Sequence, residues 1–66
     1  MKFELNGQTF EVDGPLSVRT LLERFELGAK RLAVAINGEV VPRSRFDAVT
    51  IRGGDRVEVI QAVGGG

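Results

Sequence analysis

The first twelve residues alternate apolar and polar side chains, as Lys2-Phe3-Glu4-Leu5 and then Thr9-Phe10-Glu11-Val12. A period of two sends successive side chains to opposite faces of an extended chain, so each stretch reads as a strand with one face on a core. Asn6-Gly7 lies between them, and Asn-Gly suits a type I′ hairpin turn because both of its central residues need positive φ. Residues 1–12 therefore read as a β-hairpin with Phe3, Leu5, Phe10 and Val12 facing inward, ended by Asp13-Gly14-Pro15. The period then changes: Val18, Leu21, Leu22 and Phe25 fall at i, i+3, i+4 and i+7, the apolar stripe of a helix. Ser17 is a good N-cap and Gly28 sits where helices commonly end, which predicts a helix at about residues 17–27. So short a helix is marginal alone and must pack its stripe on a sheet.

Leu32-Ala33-Val34-Ala35-Ile36 is apolar on both faces, the pattern of a central strand. A second Asn-Gly, Asn37-Gly38, leads into Glu39-Val40-Val41, and Pro42 blocks further ladder pairing. Residues 43–51 are expected to hold a short helical turn around Arg45–Ala48 and a short edge strand at Val49-Thr50-Ile51. Gly53-Gly54-Asp55 makes a turn, and residues 56–63 read as the last strand. One helix among these strands favours a mixed sheet of four or five strands around it, with a helical crossover returning the chain parallel to a strand of the same sheet. That is an α+β fold with the β-grasp, or ubiquitin-like, topology, preferred over a ferredoxin-like or small-barrel arrangement because only one helix is present.

Sixty-six residues support one small domain, and 42% apolar with 27% charged residues is an ordinary globular balance. The chain has no Cys and no His, which removes disulfides, zinc-finger clusters, nucleophilic thiols and the commonest general base. Formal net charge is zero, although residues 1–29 carry three bases and five acids and residues 30–66 carry six bases and four acids. No long-range field to gather nucleic acid is expected. No apolar run approaches the roughly 20 residues of a membrane span, and no secretory signal is visible, so a cytoplasmic protein away from membranes is expected.

Catalytic constellations are sparse. Ser17, Ser44, Thr9, Thr20 and Thr50 have no His to activate them, and Lys2 and Lys30 are the only side-chain amines. Glu4, Glu11, Glu23, Glu26, Glu39 and Glu58 fall on predicted polar faces and read as solvated surface. Gly53-Gly54-Asp55 lacks the Lys-Ser/Thr that completes a P-loop and reads as a plain turn. Arg43, Arg45, Arg52 and Arg56 have only Phe46 as a nearby aromatic, which fits a partner-docking patch better than a nucleic-acid platform.

The ending Gly64-Gly65-Gly66 is the feature that a core does not explain. Glycines bury no side chain and lose the most backbone entropy when ordered. The chain divides on this reading into a body, residues 1–63, and a flexible tail, residues 64–66. One reading of the tail is a frayed end; the other is a strand thin enough to thread a narrow channel. Extended from Val63 to Gly66, the tail would reach about 10–14 Å at ~3.3–3.6 Å per residue. That carries a free carboxylate into another protein's site while the body docks outside. A carboxylate is a poor acyl donor until an adenylyl group from ATP turns it into a mixed anhydride. The machinery for that step must come from a partner.

The early Asn6-Gly7, the helix Ser17-Val18-Arg19-Thr20-Leu21-Leu22, and the block Val34-Ala35-Ile36-Asn37-Gly38-Glu39-Val40-Val41-Pro42-Arg43-Ser44 together resemble the ThiS family. So do Gly54-Asp55-Arg56-Val57-Glu58-Val59-Ile60 and the ending Ala62-Val63-Gly64-Gly65-Gly66. These are sulfur carrier proteins of thiamin biosynthesis, and the resemblance covers essentially the whole chain. It implies a β-grasp fold and a Gly66 carboxylate adenylated by a ThiF-type activating enzyme, with ATP and magnesium used by that partner and no cofactor bound by this chain. It further implies conversion to a thiocarboxylate with sulfur from a cysteine desulfurase or rhodanese relay, and donation to a ThiG-type thiazole synthase. Gly65 and Gly66 match the family's terminal di-glycine, and Gly64 extends the tail that threads into partner sites. No side chain is implied as catalytic, and the chain is expected to be a carrier, not an enzyme. Pro42-Arg43-Ser44 fits either a shaped turn or a docking segment, and Phe46 either core or partner contact. Competing readings are the small subunit of molybdopterin synthase, a ubiquitin-like modifier of lysines, and a β-grasp interaction domain whose tail has no chemical role.

Overall fold

The computed structural model describes residues 1–25, 27 and 32–61. In chain order its elements are β1 (Lys2–Leu5), β2 (Gln8–Glu11), β3 (Leu16–Ser17), α1 (Val18–Arg24), β4 (Leu32–Ile36), β5 (Glu39–Val41), a 3-10 turn (Arg43–Arg45), β6 (Thr50–Ile51) and β7 (Arg56–Gln61). The two Asn-Gly pairs form matching hairpin turns, with Asn6 and Asn37 both at φ 52° and Gly7 and Gly38 both at φ 84°. Those values belong to the type I′ turn, whose twist follows that of the flanking strands. The first turn sets Phe3 opposite Phe10, and the second sets Val34 opposite Val41.

The five-stranded sheet has the order β2-β1-β7-β4-β5, so the last strand occupies its middle. β7 runs parallel to β1 and antiparallel to β4. The crossover through α1 therefore does not return the chain beside the first hairpin; it leaves a gap that β7 fills. β4 is an interior strand as expected, but it is covered on one side only: Val34 is buried while Ala33 is exposed.

α1 buries Val18, Leu21 and Leu22 in one cluster with Phe3, Leu5, Val34, Val57 and Val59. Each such side chain removed from water stabilises the fold by roughly 1.5–3 kcal/mol before entropy is charged. Phe10 and Val12, expected to face inward, are half-buried at the edge of that cluster. The Ser17 hydroxyl caps the helix by accepting from the Thr20 N–H at 3.1 Å. Two further N–H groups of the first turn are satisfied from outside, Val18 by the Val49 carbonyl and Arg19 by the Phe46 carbonyl, both at 3.0 Å. α1 ends earlier than the expected residue 27. Phe25 leaves the helix at φ −99°, ψ 10°, and its ring meets Phe10 edge-on with centroids 4.9 Å apart. The Leu27 N–H still reaches back to the Leu22 carbonyl at 2.7 Å. The stop expected at Gly28 lies outside the described residues.

Residues 43–51 differ from expectation in two ways. The helical turn comes two residues early, at Arg43–Arg45, launched by Pro42 at φ −62°, an angle the proline ring imposes anyway. Thr50–Ile51 is a strand, but it pairs with Leu16–Ser17 in a separate two-stranded sheet and does not edge the main one. Phe46, open between two readings, belongs to the core at 6% exposure. The expected last strand is described to Gln61; residues 62 and 63 lie outside the described residues. Among the described residues no helix is long and apolar enough to cross a membrane.

Candidate functional site

Because side chains alternate along β7, Val57 and Val59 point into the core and Arg56, Glu58 and Ile60 point to the opposite, uncovered face of the sheet. That open face has two unlike halves. Around β4, β5 and the end of β7 it is mostly apolar, with Glu58 its charged member: Ile60, 65% exposed, stands opposite Ala33, and Val40, 72% exposed, stands opposite Ala35. A shallow hollow of about 90 Å³ lies among Ala33, Ala35, Val40, Glu58 and Ile60. Around β1 and β2 the same face carries Lys2, Glu4, Thr9 and Glu11, with Glu4 and Arg56 paired across strands at 3.7 Å. The apolar half adjoins the last described residues of β7, which the sequence continues into residues 62–66. Gly64, Gly65 and Gly66, the expected tail and sulfur-carrying residue, lie outside the described residues.

Among the described residues, the other candidates do not assemble into a chemical centre. Glu11, Glu23, Glu39 and Glu58 are exposed and Glu4 is partly so; Glu26 and Lys30 lie outside the described residues. Among the described residues no group of three carboxylates is placed to hold a metal ion. The turn at Gly53-Gly54-Asp55 has its polar groups taken up within the protein: the Gly54 N–H donates to the Lys2 carbonyl of β1 at 2.8 Å, and the Asp55 carboxylate accepts from the Arg52 N–H at 2.8 Å. It is a closed turn, not an anion nest. Arg43 and Arg45 share the 3-10 turn, whereas Arg52 and Arg56 flank Gly53-Gly54, so the basic residues fall on two separate segments. An exposed ion pair of Arg19 with Asp47 ties α1 to the segment after the 3-10 turn.

Sequence reasoning passed over Val40 and Ile60 as surface residues, although the signal was present. Once Val41, Val57 and Val59 are assigned inward, the same period of two places Val40 and Ile60 outward. It also read the two asparagines as turn formers only. In the structure both side-chain amides bond to β7, Asn6 at Val59 and Asn37 at Arg56.

One helix laid across a mixed five-stranded sheet, with the first and last strands parallel side by side, defines a β-grasp protein of the ubiquitin-like class. The chain belongs to the ThiS family, whose model matches residues 3–66. It is similar to the thiamine biosynthesis protein (ThiS) of Geobacter metallireducens, whose crystal structure matches with a TM-score of 0.86 at 40% identity over 100% of both chains. It is 29% identical to the sulfur carrier protein ThiS of Escherichia coli strain K12, again over 100% of both. A thiazole synthase of Paramagnetospirillum magneticum is 32% identical over all 66 residues of this chain, which span 20% of that protein. A unit like this chain thus occurs within a larger thiazole synthase polypeptide.

Proposed function

We propose that this protein is a sulfur carrier of thiamin biosynthesis that delivers sulfur to a thiazole synthase as a thiocarboxylate on Gly66. The observation that carries the reading is the family match running to residue 66, through a glycine ending that begins three positions after Gln61, the last described residue of the sheet's middle strand. The Gly66 carboxylate attacks the α-phosphorus of ATP in a ThiF-type activating enzyme, and pyrophosphate leaves. The terminal sulfur of a persulfide on a desulfurase or rhodanese relay then attacks the acyl carbon and AMP leaves, giving an acyl disulfide. A partner thiol attacks the relay-side sulfur, takes the relay into a mixed disulfide and releases the thiocarboxylate. The resulting thiocarboxylate sulfur passes to a ThiG-type thiazole synthase as it builds the thiazole ring.

The body serves as the handle for this chemistry and contributes no catalytic side chain. The apolar half of its open face, next to the end of β7, presents the contact surface to a partner that takes the tail. The thiazole synthase that contains a similar unit supports that enzyme as one partner. Intact mass after incubation with ATP, the activating enzyme and a sulfur source tests the reading. Exchange of one terminal oxygen for sulfur is expected, and an unchanged mass under conditions that charge a known carrier would sink it. Deleting Gly66 is expected to abolish charging while the melting temperature stays nearly constant. A large fall in melting temperature would show the tail to be structural instead.

A further inference from the structure

The two Asn-Gly turns share one backbone geometry, but their side chains hold β7 at different positions and on opposite sides, Asn37 at its first residue and Asn6 at Val59. On the β1 side, the ladder pairs Glu4 with Arg56 and Leu5 with Val57, and the Asn6 N–H donates to the Val57 carbonyl at 2.9 Å. There β1 turns away into its hairpin. Val59, the next β7 residue whose N–H and C=O face that side, has β4 on its other edge but no strand here, and a strand's N–H and C=O need partners when water is kept off. The Asn6 side chain supplies both. Its Oδ1 accepts from the Val59 N–H at 2.9 Å, and its Nδ2 donates to the Val59 carbonyl at 3.2 Å. A primary amide carries the same donor and acceptor as a peptide unit, so it stands in for the missing strand residue. Asn also tolerates the positive φ of 52° that the turn requires. Asn37 repeats the device on the β4 side at the start of β7: its Oδ1 accepts from the Arg56 N–H at 2.9 Å, and its Nδ2 donates to the Asp55 carboxylate at 3.1 Å.

We infer that Asn6 is a positioning residue for the carrier's reaction, its amide setting the direction in which the last residues of β7 present the glycine tail to a partner site. The inference rests on the proposed function, because it matters only if Gly66 reacts. Val59 is two residues before Gln61, the last described residue of β7. Beyond Val57 the Asn6 amide takes over the role of β1 on that side, while β4 continues on the other side through Ala33 opposite Ile60 and Leu32 opposite Gln61. A strand end held on one edge alone can swing about that edge, and a change in where the chain leaves the sheet lowers the fraction of encounters in which the tail enters a partner site productively. Asn37 holds the far end of the strand and provides an internal control.

The test compares Asn6→Gly with Asn37→Gly. Glycine accepts the same turn conformation, so each variant removes one amide and keeps its hairpin. Hydrogen exchange should show lost protection of the Val59 N–H in Asn6→Gly and of the Arg56 N–H in Asn37→Gly. With the carrier as varied substrate of the activating enzyme, Asn6→Gly should lower kcat by at least about fivefold with KM unchanged within about twofold, and Asn37→Gly should leave both near wild type. Asn6→Asp, which sets a carboxylate oxygen against the Val59 carbonyl, should lower kcat at least as far. Equal losses in the two glycine variants, no loss in Asn6→Gly, or an unchanged Val59 exchange rate would overturn the inference. Failure of wild type to charge would instead overturn the proposed function, and with it any role for Asn6 in the reaction; the exchange data alone would then judge the contact with Val59.

Discussion

The two faces of the main sheet are built from the same strands, yet the residues that tertiary structure sends to each are held to different standards. On the covered face Phe3, Leu5, Val34, Val57 and Val59 are buried under α1. On the open face Val40 and Ile60 keep 72% and 65% of their surface in water. Large aliphatic side chains grouped there add little to the stability of the isolated domain and are common where proteins meet. The open face itself divides, because the β1–β2 half spends its surface on charged residues such as Lys2, Glu4 and Glu11. Burial is thus a matter of stability on one face, while half of the other carries the exposed aliphatic residues on which the proposed docking would rest.

The sharpest test of this contrast lies in the core. Phe3→Ala should destabilise the fold by about 3–5 kcal/mol through lost burial and the cavity left behind. In a domain this small, that is a large share of the total, read as a shifted urea midpoint. A loss below about 1 kcal/mol would mean that the covered face is not the stabilising one. Ile60→Glu should do the reverse, weakening binding to thiazole synthase by at least about tenfold, as for an apolar anchor near the centre of an interface. Its effect on stability should stay within about 1 kcal/mol, the span of strand preferences. Calorimetric titration and a thermal melt of the same sample separate the two effects, and unchanged affinity would break the assignment of the apolar half. Glu4→Gln, in the charged half, should have the smallest effect. The Glu4–Arg56 pair is exposed, so its loss should cost less than about 1 kcal/mol and leave partner affinity within about twofold. A larger fall in affinity would extend the docking surface over both halves.

Much of this architecture is legible in the order of residues. Asn6-Gly7 and Asn37-Gly38 determine two hairpins, Ser17 begins the helix, and the periods of two and 3.6 separate strands from helix. Each of these is set by groups only a few residues apart, which is why local pattern suffices. The carrier reading is legible too, from the glycine ending and the motifs that resemble the ThiS family. The family match bears out that resemblance, and the chemistry at Gly66 remains a proposal with its own test.

Other features depended on residues far apart in the chain. The entry of β7 between β1 and β4, the pairing of Leu16–Ser17 with Thr50–Ile51 and the burial of Phe46 follow from how the helix and sheet fill one core. No short window contains both partners. The same holds for the asparagines: the turn conformation at Asn6 is local, but its amide meets Val59, 53 positions away. Sequence by itself determined the first hairpin, the helix, the strands at 32–36 and 56–61 and the chemistry its glycine ending can offer. Only the tertiary structure decided which strands lie side by side, that Phe46 is buried, and which side chains hold the strand that leads to the tail, because long-range packing chooses the neighbours of each strand.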